Sequence, residues 1–175
     1  MPIRLLILSA VTLLWPIFLH ASDIVGPIAV WQDDPCTTAS ILWIEPHGAE
    51  HPAAAAVEVK PEGGVGMPVA TAANRLEKSK HAVHRAKLSG LKPGTVHTVE
   101  VRQGGKNAVA IRFRTASDIF SPNLRFVTGG DMYHKREWLD AMNARAGAED
   151  PVFALLGGDL AYANNSNPKR WLEWV

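Results

Sequence analysis

From residue 24 to about residue 116, apolar positions come in short runs closed by turn formers. The runs are "IAVWQ" (28–32), "ASILWIE" (39–45), "AAVEVK" (55–60), "PVATA" (68–72), "HAVHRAKL" (81–88), "TVHTVEV" (95–101) and "AVAIRFRT" (108–115). Between them stand Asp33-Asp34-Pro35, Pro46-His47-Gly48, Pro61-Glu62-Gly63-Gly64, Lys92-Pro93-Gly94 and Gly104-Gly105. Apolar and polar positions alternate most clearly in 96–101. There His97, Val99 and Val101 share one face, and Thr98 and Glu100 the other. Seven β-prone runs spaced in this way predict a small antiparallel β-sandwich over 24–116. A small barrel and a partly disordered segment are the competing readings, and the alanine run 53–56 weakens the strand pattern locally.

After Ser117 the period changes. "LRFVT" (124–128) is a strand run ending in Gly129-Gly130-Asp131. "HKREWLDAMNARA" (134–146) carries Trp138, Leu139, Met142 and Ala146 at helical spacing. "PVFALL" (151–156) is a second strand run, ending in Gly157-Gly158-Asp159. Strand, helix and strand predict a βαβ unit with parallel strands, the beginning of an α/β domain over 123–175. "NPKRWLEWV" (167–175) reads as the start of another helix, and the polar stretch 115–123 as the boundary.

The N-terminus has its own pattern. Arg4 precedes a largely apolar stretch from Leu5 to Leu19, with Ala21 as a small residue for cleavage. About fifteen apolar residues are short for a bilayer span, so 1–21 reads as a signal peptide, with an uncleaved anchor as the alternative. Either way the remainder is expected to be secreted or periplasmic. Composition adds little beyond exclusions. A formal net charge of +1, with no basic cluster, gives no sign of a nucleic-acid partner. The one cysteine, Cys36, excludes an internal disulfide.

Candidate chemistry lies at the two strand ends. Parallel strands ending in the same Gly-Gly-Asp bring Asp131 and Asp159 to one edge of the sheet, the carboxyl edge, where α/β sheets place ligands. Neighbouring strands lie about 4.8 Å apart, so the two loops can converge on one small site. Adjacent carboxylates repel unless a cation neutralises them, and hard oxygen donors favour Mg, Mn, Ca or Fe(III). Tyr162 follows Asp159 by three residues. A phenol with an ordinary pKa near 10 ligates a metal at neutral pH only if the ion is acidic enough to remove its proton, as Fe(III) is. Against this stands plain turn chemistry, in which either aspartate caps a helix and the tyrosine is a half-buried aromatic. His134 is a further, weaker candidate.

As a set, "LRFVTGGDMYH" and "VFALLGGDLAYANN" resemble the first two blocks of the calcineurin-like metallophosphoesterases. The Gly-Asp-Leu-Ala-Tyr-Ala form of the second block is similar to the purple acid phosphatase branch. "AVWQDDPCTTASILW" and "LSGLKPGTVHTVEV" resemble the fibronectin-III-like domain that precedes the catalytic domain in that branch. The resemblance implies hydrolysis of phosphate esters at a binuclear centre of Fe(III) and a second divalent metal, Zn, Mn or Fe. Asp131 would ligate the iron, Asp159 would bridge the metals, and Tyr162 would be the phenolate on iron.

The chain departs from that pattern in three places. The first block usually runs Gly-Asp-x-Gly, and here a bulky Tyr133 takes the place of the small residue. In the sandwich, His97 stands where the branch has a tyrosine near "KPGT". Downstream Gly-Asn-His-Glu and Gly-His-x-His blocks do not occur, and with them go further ligands and the leaving group's general acid. The expectation is therefore an inactive N-terminal portion of such an enzyme. The alternative is a secreted β-sandwich binding module with a non-catalytic tail.

Overall fold

The structure is a computed structural model and describes residues 24–77, 79–105, 108–119, 123–133, 135–163 and 169–174. Residues 1–21, expected to be a signal peptide, and His134 lie outside the described residues. Eight strands fill the first part: β1 (Val25–Val30), β2 (Ala39–Glu45), β3 (Ala55–Pro61), β4 (Met67–Val69), β5 (Thr71–Arg75), β6 (Ala82–Leu88), β7 (Val96–Gln103) and β8 (Val109–Arg114). They form two four-stranded antiparallel sheets, β1-β2-β6-β5 and β4-β3-β7-β8.

Alternation is the cause of the packing. Ile41 and Trp43 of β2, Ala86 and Leu88 of β6, Val57 and Val59 of β3, and Val99 and Val101 of β7 all point into one buried core between the sheets. The residues between them on β3, Ala56, Glu58 and Lys60, face solvent. This is a sandwich arrangement, as the run-and-turn pattern predicts.

One expected strand divides. The run 68–72 is two strands in different sheets: β4 pairs with β3, whereas β5 pairs with β6. The chain changes sheets at Ala70. Pro68 has no N–H for a continuous ladder, so its place is on an edge strand, and β4 is an edge.

The second part has β9 (Phe126–Gly129), α1 (Arg136–Ala148), β10 (Phe153–Leu156) and α2 (Lys169–Trp174). β9 and β10 pair in parallel, Phe126 opposite Phe153 and Gly129 opposite Leu156. The two phenylalanine rings stack at 5.3 Å. The helical period of 134–146 materialises as α1, but of its apolar face only Leu139 is buried, while Trp138 and Met142 stay exposed. Among the described residues no helix is long and apolar enough to cross a membrane.

Candidate metal centre

Pairing of the two parallel strands continues into the loops that follow them. Gly157 N–H donates to the Gly129 carbonyl at 2.9 Å, and Asp131 N–H to the Gly158 carbonyl at 3.2 Å. The second loop thus lags by one residue. Asp131 stands level with Gly158, and Asp159 comes one residue later. Both aspartates emerge at the carboxyl edge of the strand pair, and both are exposed.

Two glycines permit this approach. A Cβ on Gly130 would overlap the Gly157 carbonyl oxygen and stand 3.1 Å from its carbon, so a side chain there would drive the loops apart. Gly158 has space around it but a φ of +59°, a conformation that glycine adopts without steric cost. Non-glycine residues in the same loops also adopt left-handed backbone: Asp131 (φ 54°), Tyr133 (63°), Asp159 (39°) and Tyr162 (50°). Such conformations cost roughly 1–3 kcal/mol each and persist where the surroundings over-determine them.

The second loop is pinned from both ends. Ala161 is buried, and the Tyr162 carbonyl accepts a hydrogen bond from Arg170 of α2 at 2.9 Å. Tyr162 itself is 38% exposed, so its ring is part covered and still reachable from solvent. The covering group is Tyr133, whose ring meets that of Tyr162 edge to face at 5.6 Å. Sequence reading marks Tyr133 only as a bulky departure.

As a donor set, Asp131, Asp159 and Tyr162 offer two carboxylates and a phenol. These are hard oxygen donors, of the kind that favours Mg, Mn, Ca or Fe(III). Among the described residues no group of three or more His, Cys, Asp and Glu side chains is gathered to hold an ion.

The corner at "KPGT" is built around His97. Its Nδ1–H donates to the Thr95 carbonyl at 2.9 Å, and the ring stacks on Phe113 at 5.5 Å. Burial holds the His97 pKa below its ordinary value, and the hydrogen bond to Thr95 opposes that shift.

No family model and no curated protein sequence matches the chain. Among solved structures, a purple acid phosphatase from yellow lupin (Lupinus luteus) seeds is similar over 78% of this chain and 35% of its own, at 12% identity and a TM-score of 0.48. The chain thus spans about a third of the length of that phosphatase. The sensor domain of an anti-sigma factor from Pseudobacteroides cellulosolvens is similar over 57% of this chain and 98% of its own, at 14% identity and a TM-score of 0.40. Astrotactin-2, a vertebrate-specific, perforin-like membrane protein, is similar over 53% and 22%, at 12% identity and 0.40. These are likenesses of shape at low identity, and no side-chain role is taken from them.

Proposed function

We propose that the chain carries the iron-holding loops of a phosphate-ester hydrolase of the purple acid phosphatase type. In this reading 24–116 is a fibronectin-III-like domain and 123–175 belongs to the hydrolase domain. The observation that carries it is the close approach of the two Gly-Gly-Asp loops, with Gly130 against the Gly157 carbonyl and the Asp131 amide on Gly158. The contact continues the parallel ladder of β9 and β10 and sets side by side the two loops that would share an ion.

Asp131 and Tyr162 would hold the iron, and Asp159 would reach toward both metals. A binuclear centre, when bound, supplies an activated water and neutralises the developing charge on a phosphate ester. The chain's own residues contribute placement. The paired loops bring Asp131 and Asp159 to the same edge one residue out of step, and Tyr162 follows on the second loop with its ring partly exposed. The second ion, Zn, Mn or Fe, requires donors other than those described. The extracytoplasmic setting follows from the leader-like 1–21 and belongs to the same proposal.

Titration of the purified chain with Fe(III) tests the reading. A visible band from phenolate-to-iron charge transfer is expected, lost in Tyr162→Phe, which keeps the ring but not the oxygen. Asp159→Asn should instead lower the iron content itself. A chain that binds no iron, or keeps its colour in Tyr162→Phe, returns the protein to the alternative of a β-sandwich binding module.

A further inference from the structure

We infer that Tyr133 is a positioning residue for the Tyr162 phenol, an assignment that rests on the iron-phenolate reading above. The two tyrosines sit on different loops, and their rings meet edge to face at 5.6 Å with an interplanar angle of 68°. This is the arrangement in which the positive edge of one ring lies on the negative face of another. Tyr133 also lies 6.0 Å from the ring of Trp138 on α1. Trp138 in turn has the Lys135 ammonium 4.5 Å above it. A short aromatic relay therefore runs from the first turn of the helix to the tyrosine of the second loop.

The relay has a consequence for the phenol. Tyr162 is over a third exposed, and an exposed tyrosine samples several χ1 wells. The only ring against Tyr162 among the described residues is that of Tyr133. Its contact narrows the orientations open to the Tyr162 ring, and so to the phenol. A small residue at 133 would leave that choice to the metal alone. The role is one of orientation, and Tyr133 supplies the ring rather than a ligand.

Full-length chain with Tyr133→Phe and Tyr133→Leu tests this, with two readouts. In the metal-free protein, the ring protons of Tyr162 are expected to carry ring-current shifts that survive in Tyr133→Phe and collapse toward free-tyrosine values in Tyr133→Leu. On iron titration, Tyr133→Phe should match the parent. Tyr133→Leu should keep a charge-transfer band, displaced or broadened, with affinity lower by on the order of threefold to tenfold. Unchanged ring shifts, band and affinity in Tyr133→Leu would overturn the positioning role while leaving the iron site standing. Loss of the band in Tyr133→Phe would overturn it differently, by making Tyr133 a ligand. A parent chain with no band removes the underlying reading, and the metal-free ring shifts then report whether the contact itself exists. Unchanged dispersion of the sandwich methyl resonances guards against misfolding of the leucine variant.

Discussion

At the scale of single residues, the tightest constraint falls on Gly130. Its hydrogen faces the Gly157 carbonyl, and backbone cannot move aside as a flexible side chain would. Gly130→Ala should therefore separate the loops and break the Asp131–Gly158 hydrogen bond. A cost of about 1–3 kcal/mol or more is expected, as for other overpacked sites. Amide exchange at Asp131 should rise sharply, and Gly157→Ala, where nothing stands in the way of a Cβ, should leave it nearly unchanged. His97 sets a pH dependence. Burial lowers its folded-state pKa, so the unfolded chain takes up the proton first as pH falls below about 6.5. Stability is then complete above that pH and is lost on going down toward the folded value, at no more than about 1.4 kcal/mol per pH unit for this proton. His81 shifts in the same direction, through burial and the neighbouring His47. Thermal melts should fall from pH 7 to pH 5, with a shallower slope in His97→Gln. An equal slope in the variant would take the effect away from His97.

At the scale of elements, the sandwich is held by a polar latch as well as by its apolar core. Trp43 Nε1–H on β2 donates to Gln103 Oε1 on β7 at 2.6 Å, joining the two sheets. Gln103 Nε2 donates to the Ala53 carbonyl at 3.3 Å, and Ala53 N–H donates to Glu45 at 3.1 Å. The Glu45 carboxylate also accepts from His84 Nε2 at 2.8 Å, and the His84 ring stacks on Trp43 at 5.1 Å. All four side chains are buried. Removing one partner leaves the others unsatisfied in a low dielectric. Glu45→Ala should accordingly cost about 3–5 kcal/mol in urea denaturation. Glu45→Gln retains an acceptor and should cost less. Comparable losses in both variants would mean that shape, not hydrogen bonding, holds this corner.

At the scale of the whole molecule, apolar surface is distributed unevenly. The sandwich encloses most of its large side chains, Val65, Met67 and Leu76 excepted, whereas Leu124 before β9, Phe126 of β9, and Leu155 and Leu156 of β10 are exposed. Among the described residues, the two-stranded parallel sheet with α1 and the short α2 leaves apolar side chains of both strands uncovered. Ile28, Val30 and Trp31 of the sandwich side and Leu124, Phe153 and Leu155 line one apolar groove. Contiguous surface of this kind favours association in water. Sedimentation velocity should show concentration-dependent self-association, reduced in Leu155→Lys. At 60% exposure Leu155 has little buried area to lose, so the substitution should not unfold the chain. Association that ignores this change would point to another surface.

The sequence by itself determined whatever depends on neighbours a few residues apart. Alternation assigned His97, Val99 and Val101 to one face, and they are buried together. Turn formers marked the ends of most strands, and helical spacing marked α1. The repeated Gly-Gly-Asp after two strand runs pointed to one edge of a parallel pair, and β9 and β10 are parallel. What tertiary structure alone decided involves partners far apart in the chain. The pairing of Glu45 with His84, 39 residues apart, and of Trp43 with Gln103, 60 apart, follows only from how the strands and sheets come together. Local pattern read 68–72 as one strand, because the exchange of sheets at Ala70 depends on which partners, β3 or β6, are within reach. The one-residue lag between the two loops, and with it the need for glycine at 130, arises from register, which no single run encodes. Tyr133 is the clearest instance. In the sequence it is a bulky residue where a small one was expected. In the fold it is the ring that covers Tyr162, because two loops separated by a helix are bonded edge to edge.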